Sequence, residues 1–247
     1  MLEACKDCKI HWMSIYNKQD FLSKIDVKPA VVTDDRKFRI IEPTKRQSIP
    51  KNIVFYDIET NPTLTEKGVR THFFKMGFMV HTELNKVGEV VKRTEYVQHR
   101  EEEVYKDLLE ILKGRNKIIV FAHNQNYDFV ASNMLYYFTN NGWEIEMFNP
   151  ESKAFLVKFT RKHKTVFFLD TLNFFAGSVK SIGEELKIPK LKMPRIINRF
   201  EKELIDSDYD LDKISDSCYK YYERWLIYNK RDVEVIEKAV LNLIEFL

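Results

Sequence analysis

Residues 55–60, FYDIET, set two carboxylates two positions apart inside a stretch that otherwise reads as a buried β-strand. Successive strand side chains point to opposite faces, so Asp57 and Glu59 share one face of a sheet. Their neighbours Ile53, Val54, Phe55 and Ile58 are apolar. Two like charges in such surroundings repel each other and lose hydration. A fold that keeps them must bring in something that offsets both penalties.

At 247 residues the chain is long enough to bury a substantial core, and 44% hydrophobic with 31% charged residues is a globular composition. No apolar run approaches the ~18 residues of a membrane span, so no membrane partner is expected. The start, MLEACKD, has no apolar h-region, and three cysteines are too few for a disulfide framework. Together these lead to the expectation of an intracellular protein, cytoplasmic or in host cytoplasm for a viral or plasmid source. A net charge of +3 leans only mildly toward anionic partners.

The organisation expected is an N-terminal extension, 1–49, followed by one domain, 50–247. The extension is polar and basic and closes in the linker-like EPTKRQSIPKN. Strands are expected over 52–58, 71–84, 88–97, 117–123, 154–160 and 165–170, with RKHK as a hairpin turn between the last two. Val104, Leu108, Leu109 and Leu112 have helical spacing before Gly114, and DFVASNMLYYFTNNG reads as one helix ending at Gly142. Further helices are expected from Ser178 to Leu186 and from about Ser217 to the end, the latter with Leu226, Val233, Ile236, Val240, Leu243 and Leu247 on one face. Interleaved strands and helices imply an α/β fold around a mixed sheet.

Other acids fall where these elements end. Asp128 lies just past the strand 117–123 at a helix start, and strand C-termini are where open α/β sheets place ligands. Tyr228 and Asp232, four apart on the final helix, share a face. Asp57, Glu59, Asp128 and Asp232 thus sit on three separated segments that can converge. An all-oxygen carboxylate set suits hard divalent cations, which also bind phosphate oxygens. Two such ions support in-line phosphoryl displacement. Tyr228, a phenol of ordinary pKa ~10, is suited to orienting a water rather than deprotonating it.

YDIET, HNQNYDF and YNKRD resemble, in order and spacing, the three motifs of the DEDD 3′→5′ exonucleases of the tyrosine subgroup. The likeness is to the proofreading domain of family B DNA polymerases of the protein-primed type found in phages, plasmids and organelles. FLDTLNFFAGSVKSIGEELKIPKLK is similar to the stretch of that group carrying an Asp-Ser-Leu-like motif and a lysine, and the resemblance spans roughly residues 50–245. It implies a ribonuclease H-like fold with a central mixed sheet of about five strands flanked by helices. It further implies that Asp57, Glu59, Asp128 and Asp232 bind two Mg²⁺ or Mn²⁺ ions and that Tyr228 orients the water. Thr60, His123, Asn124 and Tyr127 correspond to positions that hold a single-stranded 3′ end, and Thr171 and Leu172 to a pair contacting terminal bases. Lys192 matches the lysine near the scissile phosphate, with Lys190 competing for that role. Thr171 replaces the usual serine, and Met193-Pro194 follows where a small residue is usual.

Each feature also has a plainer reading. Asp128 alone is an ordinary helix-start acid, and Tyr228 with Asp232 an ordinary surface pair. Phe174 and Phe175 suit either base stacking or a core. Lys180, Lys187, Lys190, Lys192, Arg195 and Arg199 fit a nucleic-acid backbone track or a solvated face. Cys5, Cys8 and His11 have the spacing of three zinc ligands, with His72 or Cys218 as a distant fourth; incidental cysteines are the default. The function expected is a metal-dependent 3′→5′ exonuclease acting on single-stranded DNA and releasing nucleoside 5′-monophosphates. Fifteen residues follow Asp232, so a free-standing enzyme, a polymerase domain or a subunit alongside a polymerase partner are all compatible. The alternatives are an exoribonuclease, which the motifs do not separate from a deoxyribonuclease, and a non-catalytic docking module of a replication complex.

Overall fold

A computed structural model describes residues 49–64, 70–149, 155–194 and 218–246, all within one unit, Thr44–Leu247. Cys5, Cys8, His11, Arg195, Arg199 and the extension 1–48 lie outside the described residues. Seven strands pair into one sheet: β1 (Asn52–Leu64), β2 (Arg70–Leu84), β3 (Val90–Gln98), β4 (Lys117–Ala122), β5 (Glu144–Asn149), β6 (Leu156–Arg161) and β7 (Lys164–Asp170). Their order is β3-β2-β1-β4-β7-β6-β5. An antiparallel meander, β3-β2-β1, continues into the parallel strands β4 and β7, then into the antiparallel β6 and β5. The fold is the expected mixed α/β arrangement, but with seven strands among the described residues instead of about five. The unexpected strand is β5, where only Ile145 and Phe148 are half-buried, three positions apart, so no period-2 alternation marks it in the sequence.

Alternation along β1 divides the core. Val54, Tyr56 and Ile58 face one side, while Ile53 and Phe55 face the other. The first side is covered by α1 (Glu101–Ile111), α2 (Gln125–Ala131) and α3 (Met134–Asn140). The second is covered by α4 (Val179–Glu185) and α5 (Cys218–Phe246). Aromatic packing is dense on the first side, where Phe138 stacks on Phe159 with centroids 4.5 Å apart. Burying each such ring contributes about 1.5–3 kcal/mol.

The single helix expected up to Gly142 is in fact two. Asn133 adopts φ 53°, a left-handed conformation that asparagine tolerates, and breaks α2 from α3. Just before it, the Ser132 hydroxyl donates to the Asp128 carbonyl at 2.6 Å, sharing that acceptor with its own backbone N–H at 2.9 Å.

The last helix begins at Cys218, in line with the sequence. Val233, Ile236, Ala239 and Val240 pack with Ile53 and Phe55, while Trp225 and Tyr228 pack with Met76, the register partner of Glu59. Thus α5 runs antiparallel to β1, and its N-terminal half lies over the end that carries Asp57 and Glu59. Buried Glu237 fixes this arrangement. Its carboxylate accepts from the Thr82 hydroxyl at 2.7 Å and from Arg93 Nε at 3.0 Å, tying α5 to β2 and β3.

Candidate metal centre

The parallel strands β1, β4 and β7 end on the same edge of the sheet, where Asp57 and Glu59, His123 and Asp170 follow one another in space. Pairing of β1 with β4 covers only Ile53 to Phe55. Past Ala122 the β4 chain turns away, which leaves the β1 backbone from Tyr56 onward without a ladder partner on that side. Asp128 fills the gap: its buried carboxylate accepts the Ile58 N–H at 3.0 Å. The turn that delivers it uses Asn124 at φ 64° and is held by the Asp170 carboxylate, which accepts the Asn124 N–H at 3.0 Å.

Asp57, Glu59 and Asp232 each offer a carboxylate oxygen, and these lie within 4.8 Å of one another. Asp57 and Glu59 come from the face of β1 that α5 covers, as the i, i+2 spacing required. Asp232 comes from α5 and is 3% exposed. One of its oxygens, Oδ2, accepts from the Lys190 ammonium; the other, Oδ1, is buried and has no hydrogen-bond donor among the described residues. An acceptor left in that state is costly, about 1–3 kcal/mol. Asp128 stands behind this trio, and its charge acts on Asp57.

The electrostatics follow from this crowding. Burial, then the charges of Asp128, Glu59 and Asp232, hold the Asp57 carboxyl well above the ordinary carboxylate range, against the pull of Lys190. Burial and Asp232 push Glu59 up from 4.5 to about 7, again opposed by Lys190 and Lys75. Burial also raises Asp128, although the Ile58 N–H pulls the other way, and raises Asp232 despite Lys190. A cation placed among these oxygens would relieve all four. The donor set is entirely oxygen and the buried Asp232 Oδ1 is unmatched, so the residues present fit a hard divalent cation.

Tyr228 lies one turn before Asp232 and is 3% exposed; burial and the Asp232 charge push its hydroxyl up to about 12. Lys190 lies with its ammonium 4.9 Å from the centre of the Tyr228 ring. Of the two lysines weighed in the sequence, Lys190 is the one that bonds Asp232, whereas Lys192 is exposed. The strap carrying Lys190 can reach this position because Gly183 sits beneath it. A Cβ on Gly183 would come within 2.7 Å of the Ile188 carbonyl oxygen. Arg231 holds the same strap by donating to the Pro189 carbonyl at 3.2 Å.

Thr60, Tyr127 and His72 form a cluster beside the acids. Thr60 Oγ1 lies 3.0 Å from His72 Nδ1 and in hydrogen-bond contact with the Tyr127 hydroxyl, which is itself 3.1 Å from the same nitrogen. His72, weighed in the sequence only as a distant fourth zinc ligand, is brought beside these residues by the β1–β2 pairing. His123 and Thr171 meet at 2.9 Å, and the buried Thr171 hydroxyl also donates to the Ala122 carbonyl. Leu172 and Tyr127 are exposed at the mouth, at 40% and 38%. Phe174 is exposed as well, at 51%, whereas Phe175 packs against the core.

Fold and site together define a mixed α/β domain whose parallel strands end near a carboxylate centre able to take a divalent cation. No protein-family model matches the chain, and no curated protein sequence does. The solved structures similar to it include two of Phi29 DNA polymerase. One is the complex with single-stranded DNA, with 13% identity, a TM-score of 0.47, and coverage of 78% of this chain and 31% of that one. The other is the ternary complex with primer-template DNA and incoming nucleotide, with 14% identity, a TM-score of 0.47, and coverage of 80% and 31%. The chain therefore spans about a third of the length of the polymerase it is similar to. Among the described residues, no helix is long and apolar enough to cross a membrane.

Proposed function

We propose that this domain is a divalent-cation-dependent 3′→5′ exonuclease that removes nucleoside 5′-monophosphates from the end of single-stranded DNA. The observation that carries this reading is the convergence of Asp57, Glu59 and Asp232 oxygens within 4.8 Å, with one buried Asp232 oxygen unmatched and Tyr228 one turn away. The resemblance of the three segments to the exonuclease motifs supports it from the sequence side. Asp57, Glu59, Asp128 and Asp232 would hold the cations. When bound, these supply Lewis-acid stabilisation of the phosphoryl charge and lower the pKa of a coordinated water.

The remaining work falls to this chain's own groups. Tyr228 stays protonated at neutral pH and orients the attacking water through its hydroxyl. Water oxygen bonds to phosphorus as the bond to the 3′-oxygen of the penultimate nucleotide breaks. That oxygen takes a proton from solvent, so the products are one nucleoside 5′-monophosphate and a strand shorter by one. The Lys190 ammonium, fixed between Asp232 and Tyr228, opposes the negative charge that grows on the phosphoryl oxygens. Thr60, Tyr127 and Leu172, at the mouth, would hold the terminal nucleotide, with His123, Asn124 and Thr171 shaping the floor behind them.

The test is a gel assay with 5′-labelled DNA and RNA oligonucleotides, each with Mn²⁺, with EDTA, and with the Asp57→Ala protein. A metal-dependent ladder shortening from the 3′ end, stronger on DNA and absent in a folded Asp57→Ala protein, is expected. Preference for the RNA strand would change the substrate. Full activity in Asp57→Ala would sink the assignment.

A further inference from the structure

Lys75 enters the acidic centre through a defect in the sheet. Strands β1 and β2 pair in register as far as Glu59↔Met76 and resume at Thr60↔Phe74, which leaves Lys75 over. Such a bulge sets two consecutive side chains on one face and reverses the alternation beyond them. Both effects are visible. Met76 and Phe78 pack on the α5 side, but Phe74, which alternation would place with them, packs in the core on the opposite face. Lys75 consequently shares the α5 side with Met76, and its ammonium lies 3.2 Å from the centre of the Trp225 ring. Trp225 in turn meets Tyr228 edge-on at 5.8 Å, and Tyr228 carries Lys190. Two ammonium groups are therefore held on two aromatic rings one turn apart on α5, and both act on Glu59.

A site that only collected cations would gain nothing from lysines, since each ammonium repels the incoming metal. Two lysines built against the carboxylates suit an occupant that brings negative charge of its own. A phosphodiester does, and a lysine held as a point charge is a common phosphate contact. We propose that Lys75 is a substrate-binding residue whose ammonium contacts a phosphate oxygen of the bound single strand. The proposal rests on the exonuclease reading of the site and adds to it a contact that no motif marks.

Removal of the charge has opposite consequences for the two occupants, which separates this role from a structural one. In Lys75→Gln, Mn²⁺ without nucleic acid should bind several-fold more tightly by titration calorimetry. A 5′-fluorescent thymidine oligonucleotide, followed by anisotropy in Ca²⁺, should bind several-fold more weakly. The slope of log affinity against log salt for the strand should fall by about 0.7, one phosphate contact's worth. Lys75→Arg should restore the slope, and melting curves check that each variant is folded. Weakening of both Mn²⁺ and strand would mean that Lys75 merely props the site, and an unchanged slope with normal wild-type binding would also overturn the proposal. A wild-type protein that neither binds nor cuts any strand would instead bring down the exonuclease reading, and this contact with it.

Discussion

Two buried acids, Asp170 at the end of a strand and Asp232 on a helix, are handled in opposite ways. Asp170, at the end of β7, is 5% exposed, and Asp232 is 3% exposed. The Asp170 carboxylate accepts three backbone N–H groups: Asn124 at 3.0 Å, Gln125 at 2.9 Å and Leu172 at 2.9 Å. Those bonds fix the left-handed turn at Asn124 that delivers Asp128, and they start the short 3₁₀ turn Thr171–Asn173. Asp232, in contrast, has one lysine on one oxygen and no donor on the other, with two more carboxylates close by. Burial is the same; satisfaction is not. The difference shows that Asp170 is a fully provided structural acid, while the Asp232 group is kept short of partners, as a cation site requires.

Substitutions should break this contrast in opposite directions. The largest effect is expected from Asp57→Asn, which should cut strand cleavage by roughly 10³-fold or more, the scale of removing a main electrostatic support of the transition state. The same change should raise the melting temperature of the metal-free protein, because one repelling charge is gone. Loss of activity together with loss of stability would mean that Asp57 is structural like Asp170.

Asp170→Ala should do the reverse of that stabilisation. It strands three backbone donors and should destabilise the domain by roughly 3 kcal/mol, about 10 °C in melting temperature for a domain this size. Added Mn²⁺ should not rescue it. A neutral outcome would remove Asp170 from the account of how Asp128 is positioned.

The smallest and most diagnostic effect lies in the pH dependence of metal-free stability. Glu59 is raised from 4.5 to about 7 by burial and Asp232, so the folded state binds its proton more tightly than the unfolded state. Its contribution is therefore fully present below about 4.5 and is lost as pH rises through about 7. Burial lowers His81 to about 4, and its stabilising contribution is present above 6.5 and lost as pH falls through 4. Denaturant curves of wild type and Glu59→Gln cancel the His81 part, and their difference should move against wild type between those two Glu59 values. Saturating Mn²⁺ should flatten it, and a difference that stays level without metal would show that Glu59 is not crowded.

Much of the candidate site was legible in the chain. The i, i+2 spacing of Asp57 and Glu59 fixes a common face as soon as the segment is a strand. The i, i+4 spacing of Tyr228 and Asp232 does the same on a helix, and Asp128 was expected at the helix start after 117–123. What could not be read is more instructive. FFKMGFM gives no sign of a bulge at Lys75, since its alternation is blurred by adjacent apolar residues. The contact of His72 with Thr60 and Tyr127 joins residues from three elements. The sequence resemblance favours Lys192 with Lys190 as competitor, and the close approach allowed by Gly183 brings Lys190 to Asp232. The break at Asn133 lies inside a run whose residues otherwise suit one helix.

The sequence alone determined most of the elements, the α/β class and which acids share a face, because these depend on local periodicity and on the φ/ψ preferences of neighbouring residues. Only the tertiary structure decided which lysine meets Asp232, which strand is bulged and which buried acid receives donors. Those outcomes depend on the register between β1 and β2 and on the packing of α5 across them. Both are set by contacts between residues far apart in the chain, for which no local pattern carries a signal.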